Sequence, residues 1–468
     1  MMKRLACVLV FALVACTPTG GSFSANRYAH AARTRVGSTP IQHIVVIMQE
    51  NRSFDNLFHG FPGANTVTQG KAHGKYVSLK QVPLAWKWDL RHDHPQFLED
   101  YDGGLGDGFD DQIKGFTTGP ACGDPINHPK CWTFWTTKVL QSMAYSYVDP
   151  TIIQPYWTMA SEYTLGDNTF ASNNGPSFPS HQFLIAAQAG HAVEVPTGQP
   201  WGCDAPSSVT VEQLAFGPAN PPAFPAATGH EVPGPYPCFA YPTIATLLDG
   251  AGITWRYYAS GRKELGSYLL SAFDAIQAVR EGPDWQNVVS PDSAILSDIA
   301  NGQLPQVSWV TPTAIKSDHC GPGSGAQGPA WVASIVNAIG ESPYWNNTAI
   351  VIMWDEWGGW YDHVVPPQLS DPVTKAYEGL GFRIPLIVVS PYAKTGYVSH
   401  KLHEVASSLH FIETTFGLGS LGLADARADA YDDIFDFNQP PTPFQPIPTA
   451  LDAHYFLTHA SSGPGDTE

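Results

Sequence analysis

Two short stretches of this 468-residue chain carry adjacent side chains able to hold a cation. Glu50 and Asn51 follow the apolar run Ile41 to Met48, and Asp355 and Glu356 follow the run Thr348 to Trp354. Carboxylate and amide oxygens suit a hard or borderline divalent cation, without choosing among calcium, magnesium, manganese and zinc. Polar clusters also begin surface loops and cap helices, and either run alone fits that; the two together favour a metal site. Between them lies Asn173-Asn174-Gly175-Pro176-Ser177-Phe178-Pro179-Ser180-His181, followed at once by the apolar helical pattern QFLIAAQAG. This places Ser177 in a tight turn close to a helix N-terminus, where free backbone N–H groups and the helix dipole favour an incoming anion and a serine alkoxide. A bland N-cap serine explains the position equally well. The surroundings are not the Gly-x-Ser-x-Gly elbow, so ester hydrolysis at carbon gains no support. Most of the 17 histidines must be structural or on the surface. Three sit in unusual company: His92 in Asp89-Leu90-Arg91-His92, His319 in Ser317-Asp318-His319-Cys320, and His363 in Tyr361-Asp362-His363-Val364.

The elements that must position these groups are strands. Ile41 to Met48 and Thr348 to Trp354 are nearly continuous apolar runs, and Ile384 to Val389 is a third such run ending at Ser390-Pro391. Runs of this kind mark strands buried on both faces, as in a parallel sheet covered by helices. In open α/β sheets sites are built at the carboxyl ends of strands, so the ligands are expected along one edge. Gly323-Ser324-Gly325-Ala326-Gln327-Gly328 matches Gly-x-Gly-x-x-Gly and precedes the helical pattern PAWVASIVNAIG. The nearest strand candidate, Val307 to Val310, does not lead straight into that turn, so dinucleotide binding is not expected. Trp354, Trp357, Trp360 and Tyr361 are most simply packing, with a cage for a quaternary ammonium head group as the alternative.

Composition narrows the class. Twenty-four Lys+Arg against 42 Asp+Glu give a net charge of −18, and no basic run offers a footprint for nucleic acid. With 43 glycines and 41 prolines the scaffold is expected to be rich in loops. At roughly 150 residues per domain the length allows about three domains, and one large α/β domain with insertions fits equally. The N-terminus reads Met1-Met2-Lys3-Arg4, then an apolar run from Leu5 to Ala15, then Cys16. Its positive flank and short apolar core read as an export signal, and Leu13-Val14-Ala15-Cys16 resembles a bacterial lipobox. Residues 1–16 are therefore expected to be a lipoprotein-type signal and 17–40 a flexible linker, with the mature protein periplasmic, at the cell surface on a lipid anchor to a membrane, or secreted. Cys122 with Cys131, and Cys203 with Cys238, could close two Pro/Gly-rich loops in that oxidising setting, leaving Cys320 unpaired.

Taken in chain order, HIVVIMQENRSFDNLF, DLRH followed by DGGLGDGF, NNGPSFPSH, SDH before a Gly/Pro loop, MWDEWGGWYDHVVPP, GFRIPLIVVSPYA and LHFIETTFGL resemble the bacterial phosphoesterase family. That family contains phosphatidylcholine-type phospholipases C and acid phosphatases and belongs by fold to the alkaline phosphatase superfamily. The resemblance implies a three-layer α/β/α sandwich with a mostly parallel central sheet and long loop insertions. The catalytic domain would span residues 41–439, with a Pro/Gly-rich insertion at 191–242 and a Pro-rich tail at 440–468. It implies one divalent metal ion held by Glu50, Asn51, Asp355, Glu356 and Ser177, with Ser177 as nucleophile and His92 and His319 lining the phosphate site. His363, Asn174 and Trp357 are candidates for substrate contacts. Two departures put the substrate in doubt: Trp357 replaces a residue that is often small or polar, and Ser180-His181 stands where phospholipase members often show Asn-Arg. The expected function is metal-dependent hydrolysis of phosphoric esters through a phosphoseryl intermediate. Phospholipase C action on phosphatidylcholine and head-group transfer use the same residues, and a non-catalytic binding protein is the alternative from another class. The partners expected are a phosphate-ester or phospholipid substrate and the membrane anchor, with no nucleic acid and no protein partner.

Overall fold

The computed structural model describes residues 39–86, 89–112, 143–215, 230–260, 271–321, 325–367, 369 and 379–459. The expected signal at 1–16, nearly all of the 17–40 linker and the Cys122–Cys131 pair lie outside these residues. Eight strands form the central sheet: β1 (His43–Gln49), β2 (Thr164–Gly166), β3 (Trp255–Tyr258), β4 (Val288–Val289), β5 (Val307–Val310), β6 (Thr348–Trp354), β7 (Leu386–Val389) and β8 (Tyr397–Ser399). Their order is β4-β3-β5-β1-β6-β7-β2-β8. Every neighbouring pair is parallel except the two made by β7, which runs against both β6 and β2. The fold is α/β with a mixed, mostly parallel sheet. The third apolar run was read in the same series as the first two. Its antiparallel direction sends Ser390-Pro391 to the opposite edge, because burial on both faces selects the same residues whichever way a strand points.

All of β6 and all but the first residue of β1 are buried, which the continuous Val, Ile and Met runs require. Fully burying such side chains contributes roughly 1.5–3 kcal/mol each, so these two strands anchor the core. The main helices are α1 (Gln154–Glu162), α2 (Ser177–Ala186), α3 (Ile244–Ala251), α4 (Ala294–Ala300), α5 (Gly328–Gly340), α6 (Ser407–Phe416) and α7 (Ala453–Thr458). They pack in two sets, α1, α4 and α7 around α5, and α3 and α6 against α2, with the sheet as the third layer. Within the Pro/Gly-rich insertion Cys203 and Cys238 form a disulfide, whereas Cys320 is free and buried.

The Pro-rich C-terminal stretch is docked. The Asn337 side chain bonds both backbone groups of Ile447, at 2.7 and 2.9 Å, and Trp345 Nε1 donates to the Thr442 carbonyl at 2.8 Å. Gly340 lies under the Phe444 ring, where a Cβ would come within 2.4 Å of it. Phe456 of α7 then packs edge-on to the buried Trp331 at 5.1 Å. Phe456→Ala is expected to cost about 3 kcal/mol, as removal of a buried ring does. Urea unfolding should show a lower midpoint with an unchanged slope.

Candidate metal and phosphoryl site

Parallel pairing of β1 with β6 sets Gln49 opposite Trp354, so the next residues of both strands leave the sheet side by side. Asp355 N donates to the Gln49 carbonyl at 3.0 Å, and Glu50 N to the Ser317 carbonyl at 2.8 Å, which binds the loop after β5 to the same edge. Asn51 adopts a left-handed conformation, φ 56°, which asparagine tolerates better than most residues. That turn aims Asn51 N at Asp355 Oδ1, 2.8 Å away, and Glu356 N donates to the same oxygen at 2.8 Å. Gly358 N donates to Glu356 Oε2 at 2.7 Å. Only glycine fits at 358, since φ is +63° and a Cβ would lie 2.2 Å from the Asn51 carbonyl oxygen.

The helix α2 begins at Ser177 itself, with Pro176 in the capping position, so the serine is not the cap that its local sequence allows. Its Oγ instead donates toward Glu50 Oε2 at 3.2 Å and Asn51 Oδ1 at 3.4 Å. Helix geometry puts residue i+4 on the same face. That residue is His181, whose Nε2 lies 3.0 Å from Glu50 Oε1. His181 was not among the expected site residues; the Ser-x-x-x-His spacing on one helix is the signal that points to it.

Glu50, Asp355 and Glu356 have no exposed surface. Buried carboxylates are stable when hydrogen-bonded and paired with positive charge or a metal. Asp355 Oδ2 has no hydrogen-bond partner among the described residues. One ligand atom each from Glu50, His181 and Asp355 lies within 4.8 Å of the others. An orphaned buried oxygen beside this donor set fits a divalent cation.

His92 and His319 form a second wall. Asn51 Nδ2 lies 3.0 Å from His92 Nε2, and His92 Nδ1 2.6 Å from the Leu90 carbonyl, which fits a ring donating at Nδ1 and accepting at Nε2. Gly359, φ +69°, lets the Arg91 carbonyl approach to where a Cβ would stand 2.4 Å from it. His319 Nδ1 bonds the Cys320 carbonyl, and its ring meets that of His92 edge-on at 5.8 Å. Asp89, also unforeseen, faces both rings at 3.9 and 4.0 Å. Another unforeseen contributor, Arg52, is fully buried; its guanidinium donates to the Asp318 carbonyl at 2.8 and 3.0 Å and to Leu84, fixing the loop that carries His319.

The remaining expected contacts are placed differently. Asn174 is buried, and its carbonyl lies 2.9 Å from His94 Nδ1. His363 belongs to another group: its ring bonds Asp55 at 2.6 Å and Asn65 at 3.0 Å and meets Arg383 at 3.2 Å. Trp357 has no exposed surface, donates to Asp100 at 2.9 Å and packs on Phe97 and Phe382. Its indole is held among these rings and by Asp100. Trp354, Trp360 and Tyr361 are buried as well, as the packing reading expects.

An α/β sheet with acidic ligands, a helix-borne serine and paired histidines at one edge defines a class of protein, and comparison with known proteins identifies it. The chain belongs to the Phosphoesterase family, whose family model matches residues 41–419. It is 25% identical to the non-hemolytic phospholipase C of Pseudomonas aeruginosa, over 96% of this chain and 65% of that protein. It is 24% identical to phospholipase C B of Mycobacterium tuberculosis, over 87% of this chain and 80% of that protein. The chain thus spans just under two thirds of the first relative and four fifths of the second. A solved protein of the alkaline phosphatase superfamily from Vibrio parahaemolyticus aligns at 12% identity and a TM-score of 0.36, over 85% of this chain and 72% of its own.

Asp318 supports the site from below. Its Oδ2 accepts from the Tyr156 hydroxyl at 2.7 Å and from Trp354 Nε1 at 3.3 Å. Burial pushes its carboxyl up to about 6, against the opposing pull of the Tyr156 bond, Arg52 and Trp354. The folded state therefore holds this proton more tightly than the unfolded chain, whose carboxyl titrates near 3.9. The associated stability, about 3 kcal/mol, is present below pH 4 and lost as pH rises through 6. Asp318→Asn should remove that component, so the stability difference between the two proteins should change across pH 4–6 in urea titrations. Parallel pH profiles would contradict the assignment.

Proposed function

We propose that this protein is a metal-dependent phosphoric-ester hydrolase that works through a phosphoserine at Ser177. The observation that carries the reading is the position of Ser177 Oγ: in the first turn of α2, hydrogen-bonded to Glu50 and Asn51, at a strand edge where Asp355 keeps a buried oxygen without a donor among the described residues. Glu50, Asn51, Asp355 and Glu356 would hold one divalent cation. When bound, such an ion lowers the pKa of a nearby hydroxyl and withdraws charge from a phosphoryl oxygen.

The chain's own groups supply the rest. Glu50 Oε2 takes up the Ser177 hydroxyl proton as Oγ attacks phosphorus in line with the leaving alcohol. The positive end of the α2 dipole lies at Ser177 and favours the negative charge of the phosphoryl oxygens. Protonated, His92 and His319 would donate from Nε2 to those oxygens or to the departing alkoxide, His92 first giving up the bond it accepts from Asn51 Nδ2. Water then attacks phosphoserine and phosphate, or a phosphorylated head group, is released with Ser177 reprotonated.

Phospholipids are the substrate class suggested by the names of the relatives, with monoesters served by the same residues. Export, tethered by a lipid at Cys16 or free, belongs to the reading; the N-terminal apolar run and the Cys203–Cys238 disulfide support it. Ser177→Ala is expected to lower turnover of p-nitrophenyl phosphate and of p-nitrophenylphosphorylcholine by at least about a thousandfold, while metal content is retained. Chelation should abolish, and added metal restore, the activity of the unsubstituted protein. A folded Ser177→Ala protein of undiminished activity would sink the scheme.

A further inference from the structure

One turn along α2 from Ser177, His181 presents its ring to the carboxylate that the serine also touches. Ser177 Oγ reaches Glu50 Oε2, and His181 Nε2 reaches Glu50 Oε1. The two side chains thus bracket one carboxyl group from one helix face. His181 is 1% exposed, and the backbone of α2 sets its reach.

We propose that His181 is a nitrogen ligand of the cation at Glu50 and Asp355, and that it shifts the preference of the site from calcium and magnesium toward zinc and cobalt. The proposal rests on the metal reading above and adds which ion the site selects. Two independent observations carry it. Ligand atoms of Glu50, His181 and Asp355 converge within 4.8 Å of one another. Asp355 Oδ2, in the same group, is buried without a hydrogen-bond donor among the described residues, as an oxygen reserved for a cation would be. Ligand atoms each about 2.0–2.2 Å from a shared ion stand up to about 4.3 Å apart, so small side-chain rotations close the group.

The chemistry gives the direction of selectivity. Calcium takes six to eight oxygens and magnesium a near-ideal shell of oxygens, whereas imidazole suits zinc, cobalt and copper. Replacing one oxygen by His181 in a shell otherwise made of carboxylates and an amide therefore favours borderline ions. A ring that donates Nε2–H to Glu50 must turn its Nε2 lone pair to the ion, so loading releases that proton to Nδ1 or to solvent.

The full chain, stripped with chelator, would be titrated with Zn²⁺, Co²⁺, Mn²⁺ and Ca²⁺, both unsubstituted and as His181→Gln. Glutamine keeps an N–H able to reach Glu50 but brings no imidazole. The expected result is a fall of about ten- to a hundredfold or more in zinc and cobalt affinity, with calcium affinity nearly unchanged and the cobalt absorption bands shifted. Equal zinc affinity and an unshifted cobalt spectrum in His181→Gln would overturn the proposal and leave His181 as a donor to Glu50. Spin-echo modulation of the Mn²⁺-loaded, unsubstituted protein gives an answer that needs no variant: absence of coupling to an imidazole nitrogen also overturns it. Asp355→Asn separates this failure from that of the metal reading, because undiminished binding of every ion in that variant would sink the site itself.

Discussion

Three carboxylates, those of Glu50, Asp355 and Glu356, are buried together at the ends of two adjacent strands, and the surrounding structure is arranged to hold them. Ionised groups out of water cost several kcal/mol each unless donors and positive charge meet them. Backbone N–H groups of Asn51, Glu356 and Gly358 supply part of that compensation. Ser177 and His181 add to it from α2, and the oxygen of Asp355 left without a donor among the described residues is matched by the cation in the proposed function. The left-handed Asn51 and the glycine at 358 serve this requirement. Without them the backbone could not bring its donors close enough.

The same two loops are joined again farther from these carboxylates. Ser53 Oγ donates to the Tyr361 carbonyl at 2.8 Å, and Asp55 N to Asp362 Oδ2 at 3.2 Å. Arg383, fully buried, meets Asp362 at 2.7 Å and Asp55 at 3.4 Å and donates to the carbonyls of Asn65 and Asp167. This network accounts for His363, whose ring completes it at Asp55. A buried ion cluster of this kind gives little net stability but penalises any arrangement that separates its partners. It therefore locks the loop after β1 to the loop after β6, on which the spacing of Glu50, Asp355 and Glu356 depends.

Much of this is legible in the sequence. The β1 and β6 runs are so uniformly apolar that burial on both faces is their only stable use, and polar pairs at their ends must then lie at a sheet edge. The Val307–Val310 strand and the helix over PAWVASIVNAIG were legible for similar reasons. The direction of β7 was not, because its side chains satisfy burial equally well either way. Nor does local sequence tell the two uses of Trp357 apart, since an aromatic beside acidic residues reads alike whether it faces a substrate or Phe97 and Phe382.

By itself, the sequence determined which residues could be buried as strands, which oxygen-bearing side chains end them, and that a serine precedes a helix. Those properties follow from local composition and periodicity. Only the tertiary structure decided that Ser177 turns away from capping toward Glu50, that His181 joins the same carboxylate, and that Asp89 faces His92 and His319. These contacts span from three to more than two hundred residues of chain. They depend on strand order and on the angle at which α2 meets the sheet edge, and no local pattern records either one.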